Sequence, residues 1–137
     1  MNIKKDLLYK QSHEWLKVED NEAYIGISEY AQNSMGDIVF VDLPDEDDEF
    51  KAKEDFAVVE SVKAASDLYM PVDGKILEVN EEVMDDPALI NSSPYDSWLV
   101  KIEIQDKSQL DTLLSGEDYE KYLNEEMDDI GYESKED

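Results

Sequence analysis

Two alternating apolar segments occupy residues 55–72, and little more than Lys63-Ala64 separates them. The first reads "DFAVVESV" and the second "ASDLYMPV". Val58 and Val62 share one face of the first segment, and Leu68, Met70 and Val72 share one face of the second. Since only antiparallel neighbours can be joined by so short a connection, the sequence predicts a β-hairpin with Lys63 near its tip.

Short strands dominate the rest of the chain. "EWLKVED" (14–20) alternates and leads through an Asp20-Asn21 turn into "EAYIGI", and "WLVKIEI" (98–104) alternates as cleanly. "DIVFVDL" (37–43) is apolar on both faces, as a buried strand would be. The chain also contains a short internal repeat, which we call the internal echo: "GDIVFV" from Gly36 and "GKILEV" from Gly74 share the pattern Gly-x-Ile-x-x-Val. Trp15, Phe40 and Trp98 are expected in the core.

Helices are predicted at three places. Ser28 as N-cap and Gly36 just past the end delimit a short helix over 28–35. Ser108 with Asp111 resembles a capping box for a piece that Gly116 ends. "EDYEKYLNEEM" has helical spacing, and the last residues are acidic. We therefore predict one domain over 1–127 and a flexible acidic tail over 128–137.

Composition excludes several classes of function. Twelve basic residues, all lysine, oppose 37 acidic ones, a formal charge of −25 that argues against nucleic acid. The acidity is interpreted first as a means of solubility, as in a host adapted to salt, and an acidic surface that attracts basic partner proteins is compatible with it. No apolar run reaches membrane-span length, and the start does not resemble a signal peptide, so a cytoplasmic protein of a bacterium or archaeon is expected. The chain has no cysteine, and His13 is its single histidine, so no metal site or catalytic residue is predicted. His13 is expected to form a structural hydrogen bond beside Trp15.

Lys63 differs from the other lysines in its neighbours. Ala64 and Ala65 leave its amine sterically open, and Glu60 and Asp67 flank it without the burial typical of a Schiff-base lysine. This arrangement suits a lysine that another enzyme must reach and modify better than one that performs chemistry itself.

At this point the chain resembles a known family. "ESVKAASD", together with "SHEW", "YIGISEYAQNSMGDIVFVDLP" and "INSSPYDSWLVKI", is similar to the glycine cleavage system H proteins, which are lipoyl-lysine carriers. The resemblance runs from about Tyr9 through Tyr122. It implies a mainly β, lipoyl-domain-like fold: a flattened barrel-sandwich hybrid of two antiparallel sheets with short peripheral and C-terminal helices.

The resemblance also implies a function in glycine catabolism and one-carbon metabolism. Lipoic acid would be joined by an amide to Lys63 and would carry the aminomethyl group of glycine and reducing equivalents. The implied partners are a pyridoxal-phosphate glycine decarboxylase, a tetrahydrofolate-dependent aminomethyltransferase, dihydrolipoamide dehydrogenase, and a lipoate ligase or lipoyl/octanoyl transferase. The chain itself would be a carrier and not an enzyme, binding neither nucleic acid nor membrane.

Particular residues follow from the same resemblance. Ser12, Glu14 and Asp67 match a cleft that shelters the loaded arm, where carboxylates and a hydroxyl would hold an ammonium-like group. The modifying enzyme is expected to recognise the hairpin through Glu60, Val62 and Ala64.

Two other functions stay open on the sequence. One is an H-like lipoyl protein that serves as lipoyl donor or target in a relay or in redox signalling. The other is an unmodified acidic β-domain used for interaction, or a degenerate carrier, and the intact "ESVKAASD" argues against both. The family pattern usually has glycine around the 44–54 connection, where this chain has Asp47 and Lys53, so different turns are expected there.

Overall fold

The computed structural model describes the backbone of residues 3–130 and the side chains of residues 3–125. Within the described residues, ten strands form two antiparallel sheets, and short helices lie outside them, which confirms the predicted mainly β class. The strands are β1 (Leu8–Tyr9), β2 (Glu14–Glu19), β3 (Glu22–Ile27), β4 (Ile38–Asp42), β5 (Glu49–Phe50), β6 (Asp55–Ser61), β7 (Ala65–Tyr69), β8 (Gly74–Val79), β9 (Val100–Ile104) and β10 (Leu114–Ser115).

The two sheets differ in size and enclose the main core. The larger has the order β10-β1-β2-β3-β9-β8-β5, and the smaller has the order β4-β6-β7. Leu16, Ile25 and Ile102 from the large sheet belong to one buried cluster with Val59 and Leu68 from the small sheet. Burial of these apolar side chains between the sheets is the main force that holds the small sheet in place.

The internal echo corresponds to two similar strand pairs. β4 pairs with β6, and β8 pairs with β9, each antiparallel. Each pair contains a register shift at the same point of its motif, between Ile38 and Phe40 in one and between Ile76 and Glu78 in the other. The "Gly-x-Ile-x-x-Val" pattern therefore marks a strand with a β-bulge just after its isoleucine.

The helices are α1 (Glu29–Met35), α2 (Glu81–Asp85), α3 (Ala88–Ser92) and α4 (Gly116–Ile130), with a 3-10 helix over Lys107–Thr112. The caps predicted for α1 are confirmed, because the Ser28 side chain accepts from the Ala31 amide and Gly36 ends the helix with φ 79°. The capping box at Ser108 was wrong: Asp106 caps the 3-10 helix by accepting from the Ser108 amide. No helix formed by the described residues combines the length and apolar character that crossing a membrane requires.

The C-terminal helix extends past the predicted domain boundary. α4 continues to Ile130, and residues 131–137 of the predicted tail lie outside the described residues. The helix is held against β1 by a second apolar cluster, in which the rings of Tyr9 and Tyr119 stack with centroids 4.3 Å apart. The division into a domain and a tail stays a prediction.

Several expectations about individual side chains require correction. Trp15 is buried as expected, whereas Trp98 is only half-buried and Phe40 is half exposed. β4 is therefore not a strand buried on both faces: it is an edge strand of the small sheet, and its bulge leaves Val39 and Phe40 facing outwards. Asp47 and Lys53 have positive φ, 76° and 77°, so these turns keep the backbone conformation that glycine would adopt.

Candidate functional site

Lys63 lies at the tip of the hairpin that joins β6 and β7, as the sequence predicted. Glu60 pairs with Ala65 across the hairpin, and the Ser61 amide donates to the Ala64 carbonyl at 2.9 Å. Val62, Lys63 and Ala64 are all exposed. The lysine amine is thus open to an approaching protein.

Ser61 organises this tip, a role that the sequence reasoning missed. Its hydroxyl oxygen accepts from the amides of Lys63 at 3.1 Å and Ala64 at 3.2 Å, and its proton is donated to the Ala64 carbonyl. A serine hydroxyl that bonds the backbone two residues further along is a known turn-supporting contact, so a serine in a tight connection was a signal available in the sequence. Ser61 keeps the backbone on either side of Lys63 in one conformation.

We expect Ser61→Ala to loosen the tip without unfolding the domain. The loss of these hydrogen bonds should lower the free energy of unfolding by about 1 kcal/mol. The amides of Lys63 and Ala64 should exchange with solvent about fivefold faster, measured by hydrogen exchange. Ser61→Thr, which keeps the hydroxyl, is the matched control, and equal exchange rates in the two variants would contradict this role.

The Lys63 side chain crosses to the end of α1. Its Nζ donates to the Ser34 carbonyl at 3.2 Å, which lies in the last turn of that helix, where a cation is favourable. A Cβ at Gly36 would lie 3.2 Å from Lys63 Cε, so glycine provides both the positive φ and the room for the lysine stem. The amide side chain of Asn91 fixes this segment by bonding the Gly36 carbonyl and the Ile38 amide, each at 2.9 Å.

A cleft of about 340 Å³ opens beside the lysine. Apolar and polar residues both contribute to its wall, which is lined by Ser12, His13, Ile27, Tyr30, Ala31, Ser34, Met35, Ser66, Asp67 and Leu68. Ser34, whose carbonyl contacts Nζ, is one of these residues, so the lysine side chain ends beside the cleft. Two of the three residues predicted for an arm cleft, Ser12 and Asp67, line this one cavity.

Glu14, the third predicted residue, is buried behind Ser12 and not in the wall of the cleft. Only 1% of its surface is exposed, and both of its oxygens are occupied. The Ser12 hydroxyl donates a short hydrogen bond to Oε1, and the Tyr69 amide donates to Oε2 at 3.1 Å. Because the Ser12 proton is held by Glu14, the lone pairs of Ser12 Oγ stay available as acceptors.

The burial of Glu14 raises the pKa of its carboxyl above the usual value, although the hydrogen bonds from Ser12 and Tyr69 oppose that rise. The folded protein therefore binds this proton more tightly than the unfolded chain. As pH rises from the usual glutamate pKa through the raised one, ionisation of Glu14 lowers the free energy of unfolding.

Glu14→Gln should remove this contribution. The glutamine carbonyl can accept from the Tyr69 amide, and its NH2 can donate to Ser12 Oγ. The difference in unfolding free energy between the variant and the natural chain should grow in favour of the variant as the pH rises above the usual glutamate pKa, measured by urea unfolding. Glu103→Gln removes an exposed glutamate from β9 and serves as the control; parallel behaviour of the two variants would contradict the assignment.

His13 forms a structural hydrogen bond, as expected, and the partner is Tyr119 of α4, which belongs to the same apolar cluster as Trp15. Its Nδ1 lies 2.8 Å from the Tyr119 hydroxyl, which lies 2.7 Å from Ser28 Oγ. Burial raises the pKa of Tyr119, so its phenol stays protonated. This chain of contacts ties α4 to the N-terminus of α1, one wall of the cleft. The sequence carries no local signal for it, because 106 positions separate His13 from Tyr119.

Comparisons with known proteins agree with this geometry. A family model described as "Glycine cleavage H-protein" matches residues 7–126. The glycine cleavage system H protein of Thermoanaerobacter sp. (strain X514) is 54% identical over 126 residues, 92% of this chain and 100% of that protein. The one from Carboxydothermus hydrogenoformans is 57% identical over 125 residues, 90% of this chain and 96% of that protein.

A solved structure shows the same fold. The crystal structure of a glycine cleavage system H protein from Mycobacterium marinum superimposes with a TM-score of 0.79 at 33% sequence identity. The match covers 89% of this chain and 99% of that one. The architecture of two sheets with peripheral helices is therefore shared with this relative.

Proposed function

The chain belongs to the glycine cleavage H-protein family, whose members carry a lipoyl group on a lysine, and on that premise we propose that Lys63 is the lysine concerned. One observation carries the proposal: Lys63 is exposed at a hairpin tip, and its Nζ contacts the carbonyl of Ser34, a residue of the cleft wall. The role is that of a carrier in the glycine cleavage system.

The residues beside Lys63 fit a lipoyl arm. Its methylene chain and dithiolane ring are apolar, and Ile27, Ala31, Met35 and Leu68 supply an apolar wall. An arm attached at Nζ would begin at the rim of this cleft. Forming the amide removes the lysine charge, so the stem could lie against apolar surface without an unpaired cation.

The lipoyl group supplies a ring disulfide that exchanges with thiols and so can accept a transferred group together with electrons. The chain's own residues bind and shelter the cargo. Asp67 provides a carboxylate in the cleft, and Ser12 provides acceptor lone pairs because Glu14 holds its proton. A cationic aminomethyl group would therefore meet one negative charge and one aligned hydroxyl. Glu14 acts as a positioning residue for Ser12.

The proposed carrier performs no catalytic step itself. Its cargo would pass from a pyridoxal-phosphate glycine decarboxylase to a tetrahydrofolate-dependent aminomethyltransferase, and dihydrolipoamide dehydrogenase would reoxidise the arm. A lipoate ligase or lipoyl/octanoyl transferase would attach the group, reading Glu60, Val62 and Ala64 at the tip. The cytoplasmic location stays a prediction. A separate relay function is not favoured, because the matching relatives named above are glycine cleavage system H proteins.

The decisive experiment mixes the lipoylated protein with a glycine decarboxylase and follows glycine-dependent exchange of bicarbonate. Exchange should rise with the concentration of the lipoylated chain and should be absent with the unmodified chain. Failure of the lipoylated chain to support exchange with its cognate decarboxylase would overturn the carrier function and favour the relay.

A further inference from the structure

Three large apolar side chains are exposed close to Lys63. Val39 is 55% exposed, Phe40 50% and Val62 65%. Val39 and Phe40 lie on the edge strand β4, and the Val62 amide donates to the carbonyl of Asp37, the residue just before that strand, at 2.9 Å. We call these three residues the apolar patch. Exposed apolar surface on an edge strand favours association, so it calls for an explanation.

The bulge in β4 determines the outward direction of the patch. The register shifts between Ile38 and Phe40, so Ile38 and Val41 are buried while the two residues between them face outwards. Phe40 lies opposite Glu60, which in turn lies opposite Ala65. The patch therefore continues the surface of the hairpin tip onto a neighbouring strand.

The charges around the patch have one sign apart from Lys63. In the segments 37–42 and 58–67 the charged residues are four acids (Asp37, Asp42, Glu60 and Asp67) and one lysine. All five are exposed. Such a surface complements an apolar contact framed by lysine or arginine on the partner, and it would steer that partner by long-range attraction.

The position of the patch indicates which partner this is. An enzyme that forms an amide at Nζ must bring its active site to the base of the arm, in contact with the hairpin tip. Enzymes that act on the far end of a long arm need only reach that end. The patch begins at Val62, next to Lys63, so its position suits contact with the enzyme that forms the amide at Nζ.

We propose that the apolar patch is the docking surface for the enzyme that attaches the lipoyl group. This proposal rests on the proposed function and extends the recognised surface from the hairpin to β4. That enzyme presents an apolar contact with a basic rim, and Phe40 is the main anchor because aromatic side chains are enriched at interface cores. The recognition surface thus includes Val39 and Phe40 of β4 in addition to the residues of the tip.

The test measures lipoylation of the purified unmodified chain by a lipoate ligase. Val39→Ser/Phe40→Ser should lower kcat/KM by about 10-fold or more, mainly through KM. Phe40→Leu, which keeps an apolar side chain, should lose much less. Raising the salt concentration should lower kcat/KM of the natural chain because the charges attract at long range. Tyr69→Ser is the matched control, since Tyr69 is 42% exposed at the far end of β7.

A second measurement does not depend on turnover. The Lys63→Arg chain should inhibit the ligase competitively, and adding Val39→Ser/Phe40→Ser to it should weaken that inhibition by a similar factor; circular dichroism and thermal unfolding verify that each variant is folded. Unchanged lipoylation or inhibition would overturn the docking surface. The docking surface would also be overturned if Val39→Ser/Phe40→Ser impaired only the bicarbonate exchange with the decarboxylase, or if light scattering showed that this change dissociates a dimer of the natural chain. If the natural chain is not lipoylated at all, the proposed function itself fails.

Discussion

Lys63→Arg is expected to abolish attachment of the lipoyl group completely. Arginine keeps the positive charge and most of the length of the side chain, but its guanidinium stays protonated and cannot form the amide. Because Lys63 is exposed, the variant should fold as the natural chain does. After co-expression with a lipoate ligase, intact mass spectrometry should show one lipoyl group on the natural chain and none on the variant.

Lys53→Arg is the matched control for this experiment. Lys53 is also exposed and also lies in a turn, where its φ is 77°. Its replacement should leave the mass increase unchanged. Retention of the lipoyl group on the Lys63→Arg chain, or a modification mapped to a different lysine, would show that the attachment site is elsewhere.

Ser12→Ala/Asp67→Asn should leave attachment intact but shorten the life of the loaded arm. The double change removes the hydroxyl acceptor and the negative charge from the cleft, which together should stabilise a cationic cargo by about 1.5 kcal/mol. Spontaneous loss of the aminomethyl cargo should therefore accelerate about 10-fold. The measurement follows ammonia released from the loaded protein in the absence of tetrahydrofolate.

Asp55→Asn controls for the loss of one negative charge, since Asp55 is an exposed acid of the same sheet at the opposite end of β6. It should not change the rate of ammonia release. Equal rates in the double variant and the natural chain would mean that the cleft does not hold the cargo. If Glu14 acts by orienting the Ser12 hydroxyl, Ser12→Ala alone and Glu14→Gln should change the rate of ammonia release by a similar factor.

The hairpin shows how far periodicity alone can reach. Alternation on both sides of Lys63-Ala64 correctly predicted β6, β7 and the position of the lysine. It did not predict which side faces the core: Val58 is half-buried and Val62 exposed, whereas Val59 and Leu68 are buried. The reason is that a period of two identifies two faces, and only packing against the other sheet decides which one is covered.

Phe40 illustrates a different limit. An apolar run without alternation is typical of a strand covered on both faces, and that reasoning placed Phe40 in the core. The position of β4 at the edge of a three-stranded sheet, with a bulge, leaves Phe40 exposed instead. Both facts depend on which strands pair, and no property of residues 37–43 contains that information.

By itself the sequence determined the class of fold, the location of the hairpin with Lys63 at its tip, and the caps of α1, because each depends on residues adjacent in the chain. The tertiary structure decided what surrounds that lysine. It brought the Ser34 carbonyl to Nζ, buried Glu14 behind Ser12 under the Tyr69 amide, and joined His13 to Tyr119. These contacts join residues 29, 55 and 106 positions apart, and only the packing of the two sheets and α4 brings such residues together.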